Sequence, residues 1–365
     1  MDDTPLDQLP PEILLLVFLR LPLRHIAVSH CVCRSLCATL SSPHFLRLLS
    51  LQRLLLLTLC PSFPSPIPYA YDPDSDRWLH LSLSFLPFVG RRHVIAASHG
   101  RVYLWAASTS DDEEEEKQSS PKALVVCNPL TGWFVTLPKL GSVWAHHGSV
   151  ICGPDGSVLL LTDLAVMYSR RGGAWRNFSS ELPTMPRTPV IISDSILLLC
   201  NLGAIWRPRW AIYSGSLQKR RTSIPWTRLE GKEWDKIFAF LKCPSLVQTG
   251  DDRGMYVVGG LMSSNMQSSV CLTIVIIRFD LETMWLKREA HMPTSMFKYF
   301  KTCGKYKVFG GGNRVCFSAY GIGKMAVWEG SETGKWGWVD SVPVDDEEEG
   351  AWPYFMLDDD LDCLL

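Results

Sequence analysis

Residues 9–45 read LPPEILLLVFLRLPLRHIAVSHCVCRSLCATLSSPHF. Every position from Ile13 to Leu19 is apolar. A helix over that run is greasy on all sides, which fits either deep burial or contact with something outside its own domain. A segment of roughly 40 residues has too little bulk to bury such a helix alone. The surplus apolar surface therefore predicts a partner. Pro10 and Pro22 fix the ends of the segment, because proline is tolerated at a helix start and breaks its interior. A secretory leader needs a basic first region, and Asp2, Asp3 and Asp7 stand there instead. Arg20, Pro22 and Arg24 cut the apolar run far short of the ~18 residues of a membrane span.

The spacing of Leu9, Pro10, Glu12, Ile13 and Val17, then Leu21 and Pro22, then Val32, Cys33 and Arg34, resembles the F-box. That family motif is a small trihelical module. The resemblance implies that these residues dock on a Skp-type adaptor and, through it, on the cullin of a RING ubiquitin ligase. Two positions depart from the family pattern. His25 stands where a small or acidic residue is usual, and Leu36 stands where an aromatic is common. Leu36 keeps an apolar anchor in place of the ring.

The chain has 365 residues, which suggests about two domains. Its formal net charge is −1, and nothing in that balance points to nucleic acid, which needs a basic patch. Twelve cysteines occur at irregular spacings. Cys31 and Cys33 form a C-x-C pair without a second pair, which argues against zinc. The thiols read as reduced, in cytoplasm or nucleus, and mostly as small buried hydrophobes.

Leu46 to Leu59 is leucine-rich and fits either the end of a last helix or a strand, which periodicity does not separate. Pro61, Pro64, Pro66 and Pro68 follow and read as a stiff linker. The expected domains are therefore an F-box over 1–50, a linker over 51–68, an all-β domain over 69–357 and an acidic tail over 358–365.

From Tyr69 onward a unit recurs: an aromatic residue ending a strand, a polar turn, Trp, then Pro a few positions on. Its Trp positions are 78, 133, 175, 226, 285 and 338. Hairpins of apolar and β-branched residues lie between units. They are Val94–Leu104, Val150–Leu160, Val190–Leu199, Leu246–Val258 and Tyr299–Phe317, the last turning near Gly304. Two hairpins per repeat make a four-stranded sheet, which is one propeller blade. The period near 50 residues is the kelch value. Gly259-Gly260 and Gly310-Gly311-Gly312 resemble the kelch double glycine. The fold expected is α+β, a trihelical F-box followed by a six-bladed kelch-like β-propeller. After Leu59, Glu233–Leu241 is the one stretch read as a short helix or strand insertion. The first blade lacks an inner hairpin of its own, so the C-terminal strand material near Tyr354 to Leu357 is expected to complete it.

No catalytic constellation emerges. The adjacent pair His146-His147 would point to opposite faces of a strand, and no metal-ligand motif, phosphate loop or nucleophile elbow is present. No cofactor, metal or enzymatic activity is expected. The acidic runs Asp111–Glu116 and Asp345–Glu349 read as solvated loops. Trp206, Arg207, Arg209 and Trp210 cluster in one loop between inner and outer hairpins, and Trp and Arg are enriched among interface anchors. They are the candidate target-binding residues; Lys219, Arg220 and Arg221 read as an exposed basic turn. Module and repeat together resemble the F-box/kelch proteins. That resemblance implies a substrate receptor of an SCF-type ligase, with an unidentified target protein and neither membrane nor nucleic acid as partner. The alternative is a kelch scaffold working outside any ligase.

Overall fold

The structure, a computed structural model, describes residues 9–40, 42, 44–45, 54–60, 67–72, 75–87, 93–98, 101–106, 123–128, 132–140, 149–152, 157–162, 165–170, 172–193, 195–204, 208–216, 224–231, 234–249, 253–263, 271–302, 306–311, 313–319, 322–330, 334–340 and 354–358. The acidic runs, the basic turn at 219–221, the His146-His147 pair and the tail beyond Asp358 lie outside the described residues.

Three helices open the chain: α1 (Pro11–Leu19), α2 (Leu23–His30) and α3 (Arg34–Leu40). Pro10 and Pro22 occupy the N-caps of α1 and α2, with φ of −52° and −54°. The carbonyl of Pro10 accepts from the N–H of Ile13 and Leu14, and that of Pro22 from His25 and Ile26. Proline loses nothing at such a position, where an N–H would have no helical acceptor. The N-terminus of α3 is tied instead by a thiol: the Leu36 N–H donates to Cys33 Sγ at 3.5 Å. Helices this short do not persist alone in water. They are held by Leu14, Phe18, Leu19, Ile26, Leu36, Leu40 and Phe45, all buried. The same apolar cluster continues into Ala70, Leu83, Leu86, Val102 and Leu104, so helical module and sheets share one core.

The described strands form six four-stranded antiparallel sheets. Five are single stretches of chain. Blade 1 is β4 (His93–Ser98), β5 (Arg101–Ala106), β6 (Ala123–Cys127) and β7 (Phe134–Thr136). Blade 2 is β8 (Ser149–Cys152), β9 (Ser157–Leu161), β10 (Ala165–Arg170) and β11 (Arg176–Ser179). Blade 3 is β12 (Arg187–Ile192), β13 (Ser195–Asn201), β14 (Trp210–Ser216) and β15 (Thr227–Arg228). Blade 4 is β16 (Leu241–Gln248), β17 (Gly254–Met262), β18 (Cys271–Asp280) and β19 (Leu286–His291). Blade 5 is β20 (Tyr306–Gly311), β21 (Arg314–Ala319), β22 (Met325–Glu329) and β23 (Lys335–Val339).

The remaining sheet is composite. It runs β24 (Tyr354–Asp358), β1 (Leu54–Cys60), β2 (Ile67–Asp72), β3 (Arg77–His80). β24 pairs with β1 from Leu54↔Asp358 to Thr58↔Tyr354. The first strands of the sheets touch one another in the cycle β24, β4, β8, β12, β16, β20 and back to β24. The sequence led us to expect six blades; five are self-contained, and the sixth sheet is assembled from both ends of the chain.

The repeat owes its residues to this packing. Its Asp or Asn ties the outer turn: Asp280 Oδ1 accepts the N–H groups of Glu282 and Thr283 at 3.0 and 2.8 Å, and the Thr283 hydroxyl at 2.8 Å. Those bonds hold the Asp280 carboxyl below its ordinary pKa. Trp and the closing Pro meet across neighbouring blades. Trp175 Nε1 of blade 2 donates to the Pro138 carbonyl after blade 1, at 2.7 Å. Trp78 Nε1 of the composite sheet donates to the Asp340 carbonyl after blade 5, at 3.3 Å.

Four expectations need correction. The segment 51–68 is not all linker: β1 and the start of β2 lie in it. Pro68 fits β2 because β3 pairs only from Tyr69↔His80 onward, so the ladder needs no N–H there on that side. A second inserted helix was overlooked. Besides α4 (Trp234–Ala239), there is α5 (Thr294–Thr302), whose Met296, Phe297 and Phe300 are buried. It replaces part of the expected last hairpin, which pairs Tyr306↔Ala319 to Gly311↔Arg314 and turns beyond Gly311, not near Gly304. Finally, Gly310-Gly311 lies in the first strand of its blade whereas Gly259-Gly260 lies in the second, so the two are not equivalent positions.

Candidate functional site

α1 has no polar face, yet the structure divides it. Leu14, Phe18 and Leu19 point into the core at 6%, 2% and 4% exposure, while Ile13, Leu16 and Val17 are 45%, 55% and 39% exposed. Positions 13, 16 and 17 lie one helical turn apart and share a side. Two further apolar residues stand in solvent beyond α1: Val28 on α2 and Val32 just before α3, at 59% and 67%. Pro10, Glu12, Cys33 and Arg34 are also exposed, and Leu9, Leu21 and Pro22 are half-buried. Of the ten residues named from the sequence, Ile13, Val17 and Val32 contribute apolar surface. Cys33 caps α3 as well. Leu16 and Val28 were missed. The all-apolar run hid the orientation of Leu16, which the helical spacing of 13, 16 and 17 carries.

The four propeller candidates separate. Trp206 and Arg207 lie outside the described residues. Trp210, the first residue of β14, is 6% exposed and packed in the core between blades 3 and 4. The Arg187 guanidinium lies over its ring at 5.4 Å. Trp210 is therefore a core residue, and burial withdraws it from the expected surface patch. Arg209 is exposed. Its N–H and that of Gly203 both donate to Asn201 Oδ1, at 2.9 and 3.0 Å, which ties the loop before β14.

Buried titratable groups occur inside the blades. Burial pushes the Cys152 thiol up to about 12, against a smaller opposing pull from the Tyr103 hydroxyl and Arg101. Burial likewise pushes Cys316 up to about 12. These thiols stay neutral and inert at ordinary pH. Cys31, Cys33, Cys37 and Cys243 are exposed. Among the described residues no group of three or more His, Cys, Asp or Glu is placed to hold a metal ion. No described helix is long and apolar enough to cross a membrane, which says nothing of β-barrels.

A three-helix module with an exposed apolar face, joined to a β-propeller, defines an F-box protein, and residues 6–48 match the F-box domain. The chain belongs to the family of SKP1-interacting partner 15 of Arabidopsis thaliana, with which it is 37% identical over 363 residues, covering 94% of this chain and 95% of the relative. Likenesses among solved structures are remote. The nidogen/laminin complex is 11% identical with a TM-score of 0.45, covering 76% of this chain and 89% of that one. The tricorn protease is 12% identical with a TM-score of 0.42, covering 81% and 27%. Neither bears on what the chain does.

Proposed function

We propose that the chain is the substrate-recognition subunit of an SCF-type ubiquitin ligase in the cytoplasm or nucleus. Its F-box holds a Skp-type adaptor and through it a cullin; its propeller holds a target protein and does no bond chemistry. The observation that carries this reading is the leftover apolar face of Ile13, Leu16 and Val17, with Val28 and Val32 beside it. Each such side chain stabilises a contact by ~1.5–3 kcal/mol when fully removed from water. The name of the Arabidopsis relative, which records an interaction with SKP1, supports the same partner. We read the composite sheet as a sixth blade and the array as a degenerate kelch propeller, on the strength of the repeat period and of Gly259-Gly260. Added to Gly260, a Cβ would lie 2.6 Å from Cys271 Sγ, so that close approach needs glycine.

The test is co-purification with a Skp-type adaptor. The double variant Ile13→Asp/Leu16→Asp places two charges on the exposed face without touching the core. Loss of the adaptor with unchanged propeller unfolding is the expected result. Undiminished adaptor binding by the folded variant sinks the proposal and leaves a propeller scaffold outside any ligase. This pair is a cleaner probe than Leu9-Pro10→Ala-Ala, because Pro10 caps α1 and Leu9 packs on the core.

A further inference from the structure

In an antiparallel four-stranded sheet, the loop from the second strand to the third and the connection to the next sheet leave from the same end. In blades 3 to 5 that end carries the loop before β14, the loop before β22, and the connections holding α4 and α5. The first strands of these blades lie side by side in matching direction. Thr188 of β12 accepts the Leu246 N–H of β16 at 2.9 Å, and β16 touches β20. The chain from the F-box enters the composite sheet at the opposite end, since Leu54 pairs with Asp358, the last residue of β24.

Positive charge collects at the first of these ends. Arg187, Arg209, Lys242, Lys298 and Lys301 are exposed there, and Lys324 is half-buried. Among the described residues none of the six is paired with a carboxylate. Two nearby carboxylates, Glu230 and Asp235, already lie 3.8 and 3.4 Å from Arg228. The connection after β23 leaves from this same end and carries Asp345 to Glu349 in its sequence, so the six cations are unpaired local sites rather than a uniformly basic face.

One cation is pre-positioned. Lys324 Nζ sits 4.4 Å from the Tyr299 ring centroid and 4.6 Å from that of Trp338. The two rings meet edge to face at 5.4 Å, and Phe300 stacks on Trp338 at 6.2 Å and 2°. Tyr299 remains 47% exposed on α5, between Lys298 and Lys301. An ammonium held between two rings loses little freedom on meeting an anion, and an exposed Tyr among cations is a suitable anchor.

We infer that this end of blades 3 to 5 is the target-docking surface and that it takes a carboxylate-rich peptide segment of the target, seated on α5 and the Tyr299–Lys324–Trp338 cluster. The inference rests on the substrate-receptor reading for the word target, but the surface is testable without it. The full chain, both alone and mixed with a Skp-type adaptor, is titrated with a fluorescein-labelled peptide of about 12 residues rich in Asp and Glu and carrying one Tyr. A peptide with Asn and Gln in their place and a single-stranded oligonucleotide of similar length serve as comparators. The acidic peptide is expected to bind, and to weaken as salt rises from about 50 to about 200 mM. Lys298→Glu/Lys301→Glu/Lys324→Glu is expected to weaken it at least ~tenfold. Lys298→Glu/Lys301→Glu, which leaves the ring cluster intact, is expected to fall between that variant and the parent. Equal binding of the neutral peptide, unchanged affinity in the triple variant, or tighter binding of the oligonucleotide overturns the inference. Both variants are expected to retain the adaptor. A parent chain that fails to bind adaptor yet still binds the peptide rejects the ligase reading and keeps this one.

Discussion

At the scale of single residues, neighbouring leucines of α1 have opposite duties. Leu14 is 6% exposed and Leu16 is 55% exposed. Leu14→Ala leaves a cavity and is expected to cost ~2–5 kcal/mol in urea unfolding. Leu16→Ala is expected to change stability by less than ~0.5 kcal/mol while weakening the adaptor. Equal destabilisation by both would refute the division of α1 into two faces. The thiols make a second contrast. Cys152 and Cys316 titrate near 12 in the folded state, against 9.0 for a free thiol. Between those values the unfolded chain has released protons that the folded one still holds, so stability falls as pH rises from about 9 to about 12. The slope is up to ~1.4 kcal/mol per pH unit for each thiol. Alkylation at pH 8 is expected to label Cys31, Cys33, Cys37 and Cys243 quickly and to spare Cys152 and Cys316 until the protein unfolds. Fast labelling of the buried pair would contradict this. Sequence alone placed the ends of the F-box helices, because proline caps and charge breaks are local. It did not separate Leu14 from Leu16, because an unbroken apolar run carries no contrast between its faces.

At the scale of elements, what was legible was what is local. Each outer hairpin is a short stretch with its own aromatic, turn residue and Trp, so Tyr71↔Trp78 and its counterparts were readable one at a time. The helix α5 was not, since nine residues with three buried apolar positions resemble strand material between Pro293 and Gly304. β1 fell inside the expected linker bounds because prolines dominate the residues after it, although Leu46 to Leu59 also read as strand material. Trp210 was misjudged because a loop-edge Trp looks the same in sequence whether it faces out or in. Glycines within strands differ just as much. A Cβ on Gly254 would lie 2.5 Å from the Phe279 carbonyl oxygen, whereas one on Gly337 meets nothing within 4 Å. Gly254→Ala is expected to lower stability by ~1–3 kcal/mol, because backbone must move. Gly337→Ala is expected to be neutral or stabilising by under ~1 kcal/mol. Thermal unfolding of both variants checks the pair, and a tolerated Gly254→Ala would show that β17 and β18 yield there.

At the scale of the whole molecule, the ring is held shut by β24 against β1 and by Trp78 Nε1 on the Asp340 carbonyl. Truncation after Val344 removes β24 and leaves the free edge of β1 unpaired, an aggregation hazard. The expected outcome is loss of a single cooperative unfolding transition, with more aggregation at equal concentration. A truncated chain as soluble and heat-stable as the parent would show that closure does not depend on β24. The expectation that the C-terminal strand completes the first sheet is met by the β24–β1 ladder. It was legible because counting hairpins exposes a missing one even when no local signal marks its replacement.

The composite sheet also sets an order in time. On the ribosome the F-box helices emerge before β1 to β3, and β24 is made after every other described strand. A nascent chain therefore displays a finished adaptor module long before its ring has an inner strand to close on. Any message or ribosome that stops short of residue 354 yields a product with its F-box helices complete but with an open edge on β1. In this fold, translation through residue 358 is itself a structural requirement: β24, made late, certifies the blades that came before it.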